Sequence, residues 1–169
     1  EKWMKGVAVT TTILAVCASI AGSRGTNCVA KTQLLTSIEG SKWAYYQAKS
    51  IKQNLAETQR KAFDVEIIGA TNTEQQMRLA NEVKNYTSEI ERYDKEKSQI
   101  KQEAEELAKA NAIVGRNGNQ FSLAVVFFQI GIMLSSVSAL LKRKELWAVG
   151  SVFGLIGLVF LANGIFLFF

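Results

Sequence analysis

Three stretches of the chain, residues 3–22, 121–141 and 147–169, are almost free of charge between their ends, with Lys5 alone interrupting the first. About 20 apolar residues in a helix span the hydrocarbon core of a bilayer. The pattern predicts three transmembrane helices, at 1–22, 121–141 and 147–169, with a short basic loop at 142–146 between the last two. The segment 23–120 has a different rhythm and is predicted to lie outside the bilayer.

From Leu79 to Val114 apolar positions recur in alternating steps of three and four: Leu79, Val83, Tyr86, Ile90, Tyr93, Ile100, Ala104, Leu107 and Val114, with Lys97 and Asn111 as polar interruptions. This is the seam of a coiled coil, and the two polar positions fit a role in fixing register. Glu91 with Lys95 and Glu105 with Lys109 have the spacing of ion pairs on the solvent side. The partner is expected in residues 27–64, through Leu34, Ile38, Tyr45, Ala48, Ile51, Leu55 and Ala62. Between the two runs stands "IIGATNTEQQ". Gly69 can end a helix, and Thr71 with Glu74 or Thr73 with Gln76 can open the next. The reading is an all-α fold: three transmembrane helices, with a long antiparallel coiled-coil helical hairpin inserted between the first and second. The hairpin turns near 66–73, and each arm is about 55–60 Å long at 1.5 Å per residue.

Matching segments, "GSRGTN" after the first span and "GRNGNQ" before the second, are both punctuated by glycine. Two readings stand side by side: paired joints where the arms kink or unwind, and plain surface loop.

The aromatic block at Trp43, Tyr45 and Tyr46 lies about 30 Å along a helix beyond the first span, too far for an interfacial aromatic belt. Pairing the arms about residue 68 sets Trp43 opposite Tyr93. Tyr45 shares a face with Ile38 and Ala48 and so is assigned to the seam, as are Tyr86 and Tyr93. Trp43 and Tyr46 fall on a different face, which one partner helix cannot also cover. Paired Trp and Tyr on a surface are typical anchors of an interface. The favoured reading is lateral contact between hairpins of a homo-oligomer, anchored by Trp43, Tyr46 and the seam tyrosines Tyr45, Tyr86 and Tyr93, ahead of a separate protein partner and of a small-molecule or glycan platform.

"EKW", "WAYYQAKSIK", "EIERYDKEKSQIKQEAEEL" and "LANGIFLFF" occur in that order. They resemble a bacterial membrane-protein family known only as domain of unknown function 4337, over nearly the whole chain. The W-A-Y-Y-Q-A-K block is the most specific part, and Ala62 to Asn81 the least recognisable. The resemblance implies a bacterial membrane protein with no assigned activity, and it carries over no catalytic residue; with three spans the expected location is the bacterial cytoplasmic (inner) membrane, as a multi-pass protein.

Composition narrows the function. Of the 20 Lys and Arg, 15 lie in the segment 23–120 beside 13 of the 15 Asp and Glu, so the net charge of +5 is diffuse and marks no nucleic-acid surface. There is no histidine, which removes the commonest general base and zinc ligand, and no proline to break a helix. "LKRKEL" carries Lys142, Arg143 and Lys144, and the positive-inside rule puts it in the cytoplasm and the hairpin on the periplasmic or extracellular side. Arg24 and Arg116 at the hairpin base weaken that assignment. "EKWMKGVAVTTTILAVC" also resembles a lipoprotein signal ending at Cys17, but Val16 is bulky and the apolar run continues past it. The chain begins at Glu1 rather than methionine, which leaves room for residues upstream.

Candidate chemistry is sparse. Cys17 and Cys28 lie about 16 Å apart along a helix, beyond disulfide reach; Cys28 could cross-link subunits. Glu103, Glu105 and Glu106 read as a solvated helix face rather than a catalytic set. "GRNGN" lacks the spacing and lysine of a phosphate loop. No cofactor or metal is expected. Within the spans, Gly150, Gly154 and Gly157, Gly131 with Ser135, Ala15 with Ser19 and Ala18 with Gly22 place small residues at helix-packing intervals. Gln129 and Asn163 are the main deep polar residues, without the acid or base a coupled transporter carries. Ser122, Gln129 and Ser136, seven apart, form either an interhelical hydrogen-bond stripe or one wall of an oligomeric pore. The sequence thus points to a non-enzymatic oligomeric scaffold or accessory subunit acting through its stalk, its partners the lipid bilayer and further copies or a larger membrane complex. A passive channel around the second span and a signal-transmitting stalk are the alternatives.

Overall fold

The computed structural model describes residues 2–166; Glu1 and 167–169, the end of the third predicted span, lie outside the described residues. The fold is all-α, with α1 at Lys2–Gly69, α2 at Thr73–Leu141 and α3 at Lys144–Phe166, and no strand among the described residues. Each helix contains a stretch long and apolar enough to cross a membrane.

Both glycine-punctuated segments are helical throughout, which corrects the expectation of a joint or a loop there. Without proline no backbone donor is missing, and two of these glycines, Gly25 and Gly118, face a neighbouring helix. A Cβ at Gly25 would stand 3.6 Å from the Cβ of Phe121, and one at Gly118 would stand 3.2 Å from that of Cys28.

The first turn occupies residues 70–72. Asn72 caps α2, rather than Thr71 or Thr73: its Oδ1 accepts the Glu74 N–H at 3.0 Å, and its carbonyl accepts the Gln76 N–H at 3.0 Å. The Gln76 side chain donates back to the Ala70 carbonyl at 2.8 Å. The bond from Glu74 occupies a donor that the first turn of a helix leaves open. The second turn is tighter. Lys142 takes a left-handed φ of 52°, the Arg143 N–H reaches the Ser138 carbonyl at 3.2 Å, and the Ser138 hydroxyl donates to the Arg143 carbonyl at 2.7 Å. This is the bonding of a helix C-terminus usually closed by glycine.

The chain divides into two compact units, one built from residues up to Leu34 and from Ala110 onward, the other from Leu35–Lys109. The first is a three-helix unit. Its core cluster is Leu14, Ala21, Ala124 and Phe128. The glycines of α3 form a row of notches for side chains of the other two helices. A Cβ at Gly154 would meet Leu14 at 2.6 Å, one at Gly157 would meet the Phe128 ring at 2.8 Å, and one at Gly164 would meet the Phe121 ring at 2.9 Å. Gly131 and Gly150 bring the backbones of α2 and α3 together, since a Cβ on either would lie within 2.9 Å of the other's carbonyl oxygen. At the start of α3 the Trp147 indole lies over Gly6 and donates to the Thr10 hydroxyl at 3.0 Å.

The second unit holds two helical segments. On α2 the covered residues run Leu79, Val83, Tyr86, Ile90, Tyr93, Lys97, Ile100, Ala104 and Leu107, the face its periodicity predicts. On α1 the covered face is a different one from that expected. Leu35, Glu39, Lys42, Tyr46, Lys49, Gln53, Ala56, Arg60, Phe63 and Ile67 alternate in steps of three and four and are all at least half-buried, while Ile38, Tyr45, Ala48, Ile51, Leu55 and Ala62 are exposed. Leu34, just before this unit, is exposed as well. The seam of α1 is thus largely polar because α2 supplies partners for it.

Candidate interaction site

The polar seam residues of α1 meet their partners in a definite order. Lys42 pairs with Glu103 at 2.5 Å, Lys49 pairs with Glu96 at 2.5 Å, the Lys97 ammonium donates to Gln53 Oε1 at 2.9 Å, and Phe63 stacks on Tyr86 with centroids 5.7 Å apart. Rising positions on α1 meet falling positions on α2. Trp43 is therefore level with Glu103 and not with Tyr93, whose ring lies 5.4 Å from the Lys49 ammonium. The turn is centred on residue 71 rather than 68 and each residue of shift moves the pairing by two, which accounts for about six of the roughly nine residues by which the register differs.

Tyr45, Tyr46 and Tyr93 converge on two lysines. The Lys49 ammonium lies 5.4 Å from the ring centres of both Tyr45 and Tyr93, and the Lys97 ammonium lies 5.1 Å from that of Tyr46. Arg92 covers Tyr93 at 5.1 Å. Cations over aromatic faces gain from the ring quadrupole. The hydrogen bond from Lys49 holds the Glu96 carboxyl below its ordinary 4.5, outweighing the opposing effect of burial. The same bond raises Lys49 above 10.5.

The aromatic assignments consequently exchange places. Tyr46 belongs to the seam, and Tyr45 stands outside it with 51% of its surface exposed. Trp43, beside the seam, is half-buried: its ring packs edge-on against Tyr46 at 5.7 Å and its N–H points to Glu39 Oε1 at 3.4 Å. Tyr46 lies in the seam beneath the Lys97 ammonium and Trp43 packs on Tyr46 along the same helix, because the seam runs through 42, 46 and 49 rather than 45 and 48. Tyr86 and Tyr93 lie on the covered face of α2, as expected. Glu103 is occupied by Lys42, and Glu105 lies 3.9 Å from Lys101, one turn before it, rather than serving Lys109.

In the three-helix unit Gly131, Ser135, Gly150, Gly154 and Gly157 are all buried at helix contacts. Ala15 and Ser19 are exposed; on α1 it is Ala18, packed on the core cluster, and Gly22, facing Val125, that lie between helices. Ser122, Gln129 and Ser136 are exposed on the outer side of α2, and the two hydroxyls bond to carbonyls of their own helix, at Gly118 and Ile132. They are not a hydrogen-bond stripe between helices of one chain. Asn163 is buried. Cys17 and Cys28 are free thiols, and the Cys28 Cβ lies against Gly118 of α2.

A polar α1 seam could have been found in the sequence. Its three–four alternation from Leu35 to Ile67 is unbroken, and lysines 42 and 49 match glutamates 103 and 96 at equal spacing. No curated protein and no solved structure matches the chain. The model of the family described as a domain of unknown function, DUF4337, matches residues 3–167. The chain therefore belongs to the DUF4337 family.

Proposed function

We propose that the protein is a non-enzymatic, multi-pass membrane scaffold or accessory subunit that acts through a helical stalk. Three helices insert in the bilayer, and the unit 35–109 stands outside it as an antiparallel coiled-coil hairpin. The observation that carries the reading is the division of labour along the helices. The apolar stretches pack glycine against side chain, while the charged middles of α1 and α2 consume their lysines, glutamates and tyrosines on one another. Such a stalk offers surface rather than a reaction centre. Lys142, Arg143 and Lys144 favour a cytoplasmic α2–α3 link and hence an outward stalk. The test is fractionation with proteolysis of intact cells. The reading expects the chain to resist alkaline extraction from membranes and the stalk to be cut from the outer side. Release of the chain into the soluble fraction refutes it.

Gln129 favours a second reading. Its amide, with Ser122 and Ser136, is exposed on the outer side of α2 among the described residues. An amide facing hydrocarbon is costly. In an oligomer these groups would meet across copies or line a passive channel. Conductance in planar bilayers that changes with Gln129→Leu supports the channel, and a silent bilayer dismisses it.

A further inference from the structure

The stalk unit exposes its large apolar side chains almost wholly on one helix. Ile38, Tyr45, Ile51, Leu55 and Val65 of α1 are 38–69% exposed, whereas between Leu79 and Lys109 α2 shows no large apolar residue of this kind. With Ala48 and Ala62 they form a continuous flank beside the seam. From Ile38 to Leu55 the flank is nearly chargeless, and beyond it Lys61 and Glu66 are exposed beside Ala62 and Val65. Between Glu39 and Glu57 the only charges on α1 are three lysines, and Lys42 and Lys49 are neutralised by Glu103 and Glu96, leaving Lys52.

We infer that this flank is the docking surface for the same flank of a second copy, so that α1 packs beside α1. The inference rests on the scaffold reading above and gives it a specific face. Three observations select a second copy. First, side chains of this class expose about 180 Å² when free, so the five offer about 500 Å² per copy, and a pair that covered them fully would remove about 1,000 Å², the least that a specific interface clears. Second, from Ile38 to Leu55 the flank has almost no charge with which to select a charged partner, and it complements another uncharged surface. Third, copies inserted in one bilayer by the same spans share an orientation. Their α1 helices then run parallel and in register, and Ile38, Tyr45, Ile51, Leu55 and Val65 each meet the equivalent residue. Confinement to one membrane also raises the effective concentration of one copy near another. Trp43 and Tyr46 are not the anchors of this contact; Tyr45, Ile51 and Leu55 are.

The test uses the full chain in membrane vesicles with Cys17→Ser and Cys28→Ser as background. Single cysteines are placed at Ile51→Cys and Leu55→Cys on the flank, and at Gln102→Cys on the outer side of α2. Mild oxidation is expected to convert most of each flank variant to a species of twice the chain mass and to leave Gln102→Cys single. Ile51→Lys with Leu55→Lys is expected to abolish the doubling of a reporter cysteine at Ala48→Cys while the helical circular dichroism is unchanged. Cross-linking at Gln102→Cys without the flank variants overturns the inference but leaves an oligomeric scaffold standing. Flank cross-links to a product of a different mass overturn it in favour of another protein. No cross-link at any position, with a single-chain particle in detergent, removes both the inference and the homo-oligomeric scaffold.

Discussion

Lys49 and Glu96 form a 2.5 Å ion pair between α1 and α2, and the same ammonium lies 5.4 Å from the rings of Tyr45 and Tyr93. One lysine thereby connects a seam carboxylate, a seam tyrosine and the tyrosine of the outer flank.

The pair makes stalk stability depend on pH at both ends of the scale. Glu96 is depressed on folding, so its contribution is present above 4.5 and lost as pH falls through the lower folded value. Lys49 is raised, so its contribution is present below 10.5 and lost as pH rises through the higher folded value. Thermal melts of the stalk signal are expected to show a plateau between these limits and a fall on either side. Glu96→Gln is expected to lower the plateau and flatten the acid limb. An unchanged acid limb would remove the pair from the account.

Glycine substitutions are expected to follow a graded order in the three-helix unit. A Cβ at Gly6 would meet only the Trp147 ring, at 3.7 Å, so Gly6→Ala is expected to be close to neutral. At Gly154 it would strike the end of the flexible Leu14 side chain, and the loss is expected to be about 1 kcal/mol. At Gly131 it would strike the Gly150 carbonyl, which cannot turn aside, and about 3 kcal/mol is expected. Unfolding in mixed micelles measures the order, and an equal effect at Gly154 and Gly131 would contradict it.

Lys142 holds a left-handed conformation that costs a side chain about 1 kcal/mol relative to glycine. Lys142→Gly is expected to stabilise the α2–α3 connection by about that amount. It also removes one positive charge from the link, so topology is to be checked alongside the melt.

Asn72→Ala removes the acceptor of the Glu74 N–H at the start of α2. A loss of about 1 kcal/mol and faster amide exchange in residues 73–76 are expected, with α1 unaffected. Thr71→Ala and Thr73→Ala are expected to leave the exchange of that turn unchanged.

The fold was largely legible where one physical cause acted alone. Length and apolarity marked the stretches that could cross a membrane, and on α2 a single apolar row coincided with the covered face from Leu79 to Leu107. On α1 two rows compete. The apolar row, through Ile38, Tyr45, Ile51 and Leu55, has the stronger signal and is exposed; the polar row is covered because Glu103, Glu96 and Lys97 answer Lys42, Lys49 and Gln53 across the interface. Hydrophobic periodicity alone cannot register that complementarity. The glycines of "GSRGTN" and "GRNGNQ" misled for a related reason. Read locally they signal a break, yet Gly25 and Gly118 are places where a neighbouring helix comes close.

The proposed scaffold requires copies of this chain to meet one another. The mass of the intact complex, extracted from its membrane in a mild detergent and corrected for bound detergent, measures that directly. A whole-number multiple of the chain mass, two or more, is the predicted result, reduced to one by Ile51→Lys with Leu55→Lys. A particle holding a single copy at every detergent and protein concentration would contradict it.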